Sequence, residues 1–257
     1  MIPRARLCAN PWLPPTLTLG LWILLACIQS AAADSIKIRS AEGFWAQTVA
    51  EGNLSFIDSD LSKVRLWLEG QGRFDNQNPE GNMNWYQGMA RTALGYAITD
   101  RLTIWTGYTY IPTHRYERPF NGEQQVWPAV RYNIPTALGT LTLREMIEVR
   151  FAGGDVPSIR PRQLIRLLHP FEFEPRLGLL IWDEVFFNLN NVPNLKGYGY
   201  SGFDQNRAFV GLTWTFNEFA RTELGYMNLI AIGSKPDEPV TRYNELHTVF
   251  GSVFLAW

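Results

Sequence analysis

Residues 139–151 read GTLTLREMIEVRF, and this stretch decides the fold. Leu141, Leu143, Ile147 and Val149 share one parity, while Thr140, Thr142, Arg144, Glu148 and Arg150 hold the other. Successive side chains of a β-strand point to opposite faces, so this is a strand with one apolar and one charged face. The same period extends outward in both directions. Val64, Leu66 and Leu68 alternate with Arg65, Trp67 and Glu69, and Val249, Gly251, Val253, Leu255 and Trp257 share a face near the end. No segment of comparable length sustains a helical period.

The pattern predicts strands near 43–50, 63–74, 85–99, 102–112, 123–133, 139–151, 159–169, 176–188, 203–216, 220–232 and 242–257. Many exceed the five or six residues common in soluble sheets and suit tilted, bilayer-spanning strands of about 9–11 residues. Their connections alternate in length. Those around 99–101, 133–138, 170–175 and 217–219 are short, whereas 113–122, 152–158, 189–202 and 233–241 are long and polar. Short turns at one end and long loops at the other are the arrangement of an outer-membrane barrel. Lipid offers no hydrogen-bond partners, so strands cross it only as a closed sheet, with one face to acyl chains and one to a lumen.

The expected fold is therefore all-β: an antiparallel up-and-down transmembrane β-barrel occupying 34–257 as a single domain. Eleven strands are counted, and single-chain bacterial barrels are even-numbered. A hairpin within 43–57, turning at Glu51-Gly52-Asn53, makes twelve, the preferred number; a first segment that does not span makes ten. Such a barrel has a narrow or closed pore, between side-chain-filled eight-stranded barrels and open porins. The abundant aromatics, among them Trp45, Trp67, Trp85, Trp105, Tyr108, Trp127, Tyr132, Trp182, Trp214 and Tyr226, are expected to supply interfacial girdles.

Composition limits the alternatives. The 257 residues are 46% hydrophobic and 18% charged, which excludes a disordered chain or a coiled coil. Past the N-terminus no apolar run approaches the length of a membrane helix; Leu177–Trp182 runs straight into Asp183 and Glu184. A formal net charge of −1 gives no case for nucleic acid.

Arg4 and Arg6, the apolar core Leu17–Cys27 and the Ala31-Ala32-Ala33 site read as a cleaved signal peptide over 1–33. Cleavage removes both cysteines, Cys8 and Cys27, and shifts the formal charge from −1 to −3. Leu24-Leu25-Ala26-Cys27 loosely resembles a lipoprotein box, leaving lipidation at Cys27 open. The chain thus points to the outer membrane of a diderm bacterium, with outer-membrane lipid and the barrel-assembly machinery as partners. Terminal Trp257, ending an alternating apolar strand, looks like the signal that this machinery recognises. Oligomeric state is left open.

On the inward parity, Arg144, Glu148 and Arg150 lie on one strand, and Arg160, Arg162 and Arg166 on the next. Glu184 follows, then Gln205 and Arg207. Neighbouring strands can pair these charges, because an unpaired ion in a low-dielectric lumen is costly. The set reads as an ion-pair network that rigidifies a narrow barrel, or as a constriction or binding surface for a small polar solute.

Asp183-Glu184-Val185-Phe186-Phe187-Asn188, Phe203-Asp204-Gln205-Asn206-Arg207 and Gly225-Tyr226-Met227 resemble the closing half of the bacterial domain-of-unknown-function family DUF2490. Glu148-Val149-Arg150-Phe151, Arg160-Pro161-Arg162 and Gly107-Tyr108 fit the same pattern, so the resemblance covers nearly the whole mature chain. Glu123-Gln124-Gln125-Val126-Trp127 departs from it, lacking the His and Arg expected between Glu and Trp. The resemblance implies an exported outer-membrane-type barrel and supplies no established activity.

An enzyme is not expected. Nucleophilic catalysis needs a nucleophile, a base and an orienting group within reach, and no G-x-S-x-G element is present. His114, His169 and His247 are scattered without ligand spacing, so neither a metal nor any other cofactor is expected. Asp58 and Asp60 fit an exposed turn better than a weak Ca²⁺ loop. The alternatives are an outer-membrane lipid-modifying hydrolase and a soluble periplasmic β-protein.

Overall fold

The computed structural model describes residues 37–114, 120–152, 156–192, 201–232 and 242–257, without the side chains of Lys37 and Arg242. The signal-peptide and lipidation assignments therefore lie outside the described residues. Eleven strands are present among them: β1 Lys37–Asn53, β2 Val64–Asp75, β3 Asn84–Ala97, β4 Leu102–Thr113, β5 Asn121–Thr136 and β6 Gly139–Phe151, followed by β7 Ser158–Phe171, β8 Glu174–Asn188, β9 Gly202–Asn217, β10 Ala220–Ile232 and β11 Arg242–Ala256. Each pairs antiparallel with the next, and β1 pairs with β11 to close the barrel. No α-helix is present among the described residues.

The all-β closed barrel expected from the sequence is present, with two corrections. The described residues form eleven strands rather than twelve or ten, and the closing pair is parallel, Lys37 facing Arg242 through Glu51 facing Ala256. The second follows from the first. Successive strands of a meander reverse direction, so with an odd number the first and last run the same way and can only join as a parallel ladder. The hairpin within 43–57 does not form. Glu51, Gly52 and Asn53 stay in β1 and pair with Trp67, Leu66 and Arg65. Gly52 is a turn former by composition, but here it accommodates a close approach: a Cβ at this position would lie 2.4 Å from the Trp257 indole.

The strand ends at 97 and 102, 136 and 139, 171 and 174, and 217 and 220 lie at one end of the barrel, and those at 75 and 84, 113 and 121, 151 and 158, 188 and 202, and 232 and 242 at the other. One long segment, 54–63, sits among the short turns. It carries a single 3-10 turn, Ser59–Leu61, whose start is capped by Asp58 Oδ1 accepting the Asp60 N–H at 2.9 Å. That is a structural role for the Asp58-x-Asp60 pair.

Two bulges redirect side chains. Between β2 and β3 the register shifts at Arg73/Phe74, and between β8 and β9 at Phe186/Phe187. A bulge sets two residues against one, so adjacent side chains can face the same side. Tyr86 and Gln87 thereby both line the lumen, as do Asp204 and Gln205.

The wall is apolar outside. Leu68, Leu94, Ile104, Val126, Val130, Ile147, Ile165, Ile181, Val210, Leu212, Leu224 and Val249 are each more than a third exposed. The interior carries two apolar clusters. Val49, Trp67, Ala93, Trp105, Trp127, Ala129 and Met146 form one, and Trp45, Leu180, Phe209, Met227, Leu246 and Phe250 the other. The girdle assignment is thus corrected for Trp45, Trp67, Trp105 and Trp127, which are almost fully buried inside. Their strand parity is that of the lumen charges, and parity, not amphipathic character, decides which face a side chain meets. Trp85, Tyr108, Tyr110, Tyr132 and Tyr226 do lie exposed.

Candidate functional site

The lumen holds a cavity of about 1090 Å³, whose lining runs from Asn78, His114 and Asn121 beside the long connections to Glu51, Arg131 and Phe254. Ten arginines line it (Arg39, Arg73, Arg91, Arg131, Arg144, Arg150, Arg160, Arg162, Arg166 and Arg207). Eight carboxylates face them: Glu51, Glu69, Asp75, Glu123, Glu148, Glu184, Asp204 and Glu223. Among the described residues, cations therefore outnumber anions in the lining.

Strands β6 to β9 hold the densest part, and every residue of the expected lumen network sits on this inner face. Glu148, 0% exposed, accepts Arg160 Nε at 2.7 Å on one oxygen and Arg162 Nη1 on the other. Arg162 continues to Glu184 Oε1 through Nη2 at 2.7 Å and Nε at 3.1 Å. Arg144 Nη2 reaches the same oxygen at 2.8 Å, while Arg207 Nη1 stands 3.7 Å from Oε2. Arg160 also spans to Asp204 Oδ2 at 2.9 Å, and Asn188 Nδ2 donates to Asp204 Oδ1 at 3.2 Å. Arg150 grips Glu123 in a fork, at 2.6 and 3.0 Å. Arg166 pairs with Glu223. Gln205 lines the cavity, with its Nε2 buried and lacking a protein partner.

The ring of Phe186 serves as a common floor, with the guanidinium carbons of Arg160, Arg162 and Arg207 at 5.0, 4.5 and 4.6 Å from its centroid. Stacking of planar guanidinium on an aromatic face holds three like charges in fixed orientation while leaving their edges free for carboxylates.

Strands β1 to β5 add charges that were not singled out from the sequence. Arg91 joins Glu69 at 3.0 Å and Thr109 at 3.0 Å, and Trp127 Nε1 donates to the same Thr109 hydroxyl at 2.9 Å. Arg131 holds Glu51 in a second fork, with Nη1 to Oε2 at 2.7 Å. Glu69, Glu123 and Arg131 share parity with the inward Trp67 and Trp127, a signal available in the sequence. Asp204 was invisible because the bulge reverses its parity.

The histidines do not converge. His114 lines the cavity mouth, and His169 Nδ1 lies 2.7 Å from the Leu138 carbonyl. His247 lies on the outer face, with Nδ1 bonded to the Tyr226 hydroxyl and Nε2 3.6 Å from Glu245. No group of three metal-ligating side chains occurs among the described residues. Trp257 packs its indole over Gly52.

Residues 42–238 match the family described as protein of unknown function (DUF2490). An uncharacterized protein of Methylorubrum extorquens is 27% identical over 194 residues, covering 72% of this chain and 81% of that one. No solved structure matches the chain. The family match runs from within β1 through β10 and covers the whole β6–β9 network, and the chain belongs to the family of unknown function DUF2490.

Proposed function

We propose that this chain is a non-enzymatic outer-membrane barrel whose ion-paired lumen is a narrow chamber for a small polar solute. The observation that supports this reading is the inversion of polarity. Glu148, Glu123, Glu184, Arg91, Arg150 and Arg162 are buried inside, while a band of Leu, Ile and Val covers the outside. Water rewards the opposite arrangement, and an exposed apolar band this continuous calls for an apolar surrounding. A ring of paired charges then has two roles. It satisfies the inner face, and it narrows the path so that only small solutes with hydrogen-bonding groups find room and partners.

The test is fractionation followed by electrophysiology. The chain should appear in the outer-membrane fraction, require detergent for extraction, and migrate in a heat-modifiable manner. In planar bilayers it should show small or no conductance. Recovery from the soluble periplasm without detergent, or a large stable pore, would sink the reading.

A second reading rests on the outer-face chain Tyr226–His247–Glu245, in which a hydroxyl, an imidazole and a carboxylate stand in sequence. That order suits a nucleophile, base and orienting acid facing lipid. Lipid hydrolysis by the wild type that is abolished in His247→Ala would replace the non-enzymatic reading with a lipid-modifying one.

A further inference from the structure

Two arginines of the lumen stand apart from the ion-pair network. Arg73 is about 7% exposed and makes no ion pair among the described residues. Its guanidinium donates to the side-chain oxygens of Gln71 and Gln87, and Nη2 lies 3.8 Å from the Met89 sulfur. These neutral partners fix its position without neutralising its charge. Among the described residues, the carboxylate that Arg207 reaches is that of Glu184, loosely at 3.7 Å, and Arg144 and Arg162 already hold it. Its Nε is buried without a protein partner.

These two cations meet at one place. The guanidinium carbon of Arg73 lies 4.2 Å from the centroid of the Trp45 ring, and that of Arg207 lies 5.2 Å from it. Gln205 Nε2, two residues before Arg207 on β9, is a further buried donor without a protein partner. Trp45, Arg73, Gln205 and Arg207 all line the same cavity, which has room for a small ligand.

We propose that Arg73 and Arg207, with Gln205, form a binding site for a small solute carrying a phosphate or carboxylate group. The site names the solute class of the chamber proposed above and rests on that reading. Two buried, weakly compensated guanidiniums repel each other until an anion supplies the missing charge. Oxyanions suit guanidinium N–H groups in both geometry and charge. The nearby Glu184 opposes entry in part, but Arg144 and Arg162 already compensate it.

The test uses the full chain in detergent, with heat-modifiable migration as the criterion of a closed barrel. Calorimetric titration with inorganic phosphate, and separately with succinate, should give saturable binding to at least one, above a chloride baseline. Arg73→Gln and Arg207→Gln should each weaken it at least tenfold, whereas Arg176→Gln, at the exposed start of β8, should leave it unchanged. A closed barrel that binds neither probe overturns the anion site alone. Binding that survives both glutamine substitutions overturns its location. A chain that never forms a detergent-stable barrel overturns the chamber reading and the site with it. Should a glutamine variant fail to fold, phosphate-induced change in tryptophan emission is read in the wild type and in Trp45→Phe. Loss of the change supports the site, and its persistence overturns it.

Discussion

Two sides of one lumen hold themselves together by different means. On β6–β9 the inner face carries the densest ion pairs: Glu148 and Glu184 are each gripped by at least two arginines, and Arg160 and Arg162 each join two carboxylates. On β2–β5 the shape is set by indoles. Trp67 meets Trp105 edge-on at 5.5 Å and Trp127 at 6.2 Å. Arginines lie over these rings, Arg144 over Trp67 and Arg131 over Trp105. The ionic side depends on charge balance and loses most when one partner goes. The indole side depends on volume and loses most when space is taken or opened.

The largest effect is expected from Glu148→Ala, which leaves Arg160 without one of its two acid partners and Arg162 likewise, with all three side chains buried. Breaking a buried pair from one side costs about 3–5 kcal/mol. The measurement is the urea midpoint of unfolding, followed by heat-modifiable migration. A shift no larger than that of an exposed control such as Arg176→Gln, at the start of β8, would mean that the ionic side does not hold the barrel.

The neighbouring residue tests the wall itself. Ile147 precedes Glu148 on β6 and faces outward, 46% exposed. In water, Ile147→Arg should be nearly neutral. In a bilayer it should cost about 2–4 kcal/mol near mid-depth, falling toward the interfaces. Folding into lipid vesicles compared with the wild type distinguishes the two surroundings by one residue.

The indole side is probed through Gly107. A Cβ at this position would lie 2.4 Å from the Trp127 ring and 2.7 Å from the Thr92 carbonyl oxygen. Gly107→Val forces the indole or the strand to move, with an expected loss of about 1–3 kcal/mol. Near-ultraviolet circular dichroism should lose Trp signal together with the stability, which a purely ionic perturbation such as Glu148→Ala would do less. Equal spectral loss in both variants would show that the two sides are not separable.

Much of this contrast was legible in residue order, and the reasons for what was not are physical. Alternation in 139–151 set Arg144, Glu148 and Arg150 on one face, and strand parity carried the same inference to Arg160, Glu184 and Arg207. Parity also placed Trp67 beside Glu69, yet the chemistry of indole suggested an interfacial girdle and concealed the inner cluster. Asp204 and Tyr86 lie at bulges, which reverse the parity of a residue without changing the local composition. Gly52 has the composition of a turn, and its place inside β1 depends on the indole of Trp257, far along the chain. The parallel pairing of β1 with β11 is likewise non-local, arising only from the parity of the strand count.

The smallest effect concerns Glu51 and Arg131, where the two kinds of side meet. Arg131 forks onto Glu51 and lies 5.1 Å from the Trp105 ring centroid, so one guanidinium serves both an ion pair and an indole. Both side chains keep partial exposure, 27% for Glu51 and 19% for Arg131, so solvent screens the pair and Glu51→Gln should cost less than about 1 kcal/mol. Arg131→Gln removes the stacked guanidinium as well and should cost more than Glu51→Gln. Equal losses in the two variants would mean that the ring contact contributes nothing. A larger loss in Arg131→Gln that persists in the double variant would assign the difference to stacking on Trp105, making this residue the point where the ionic and indole sides depend on each other.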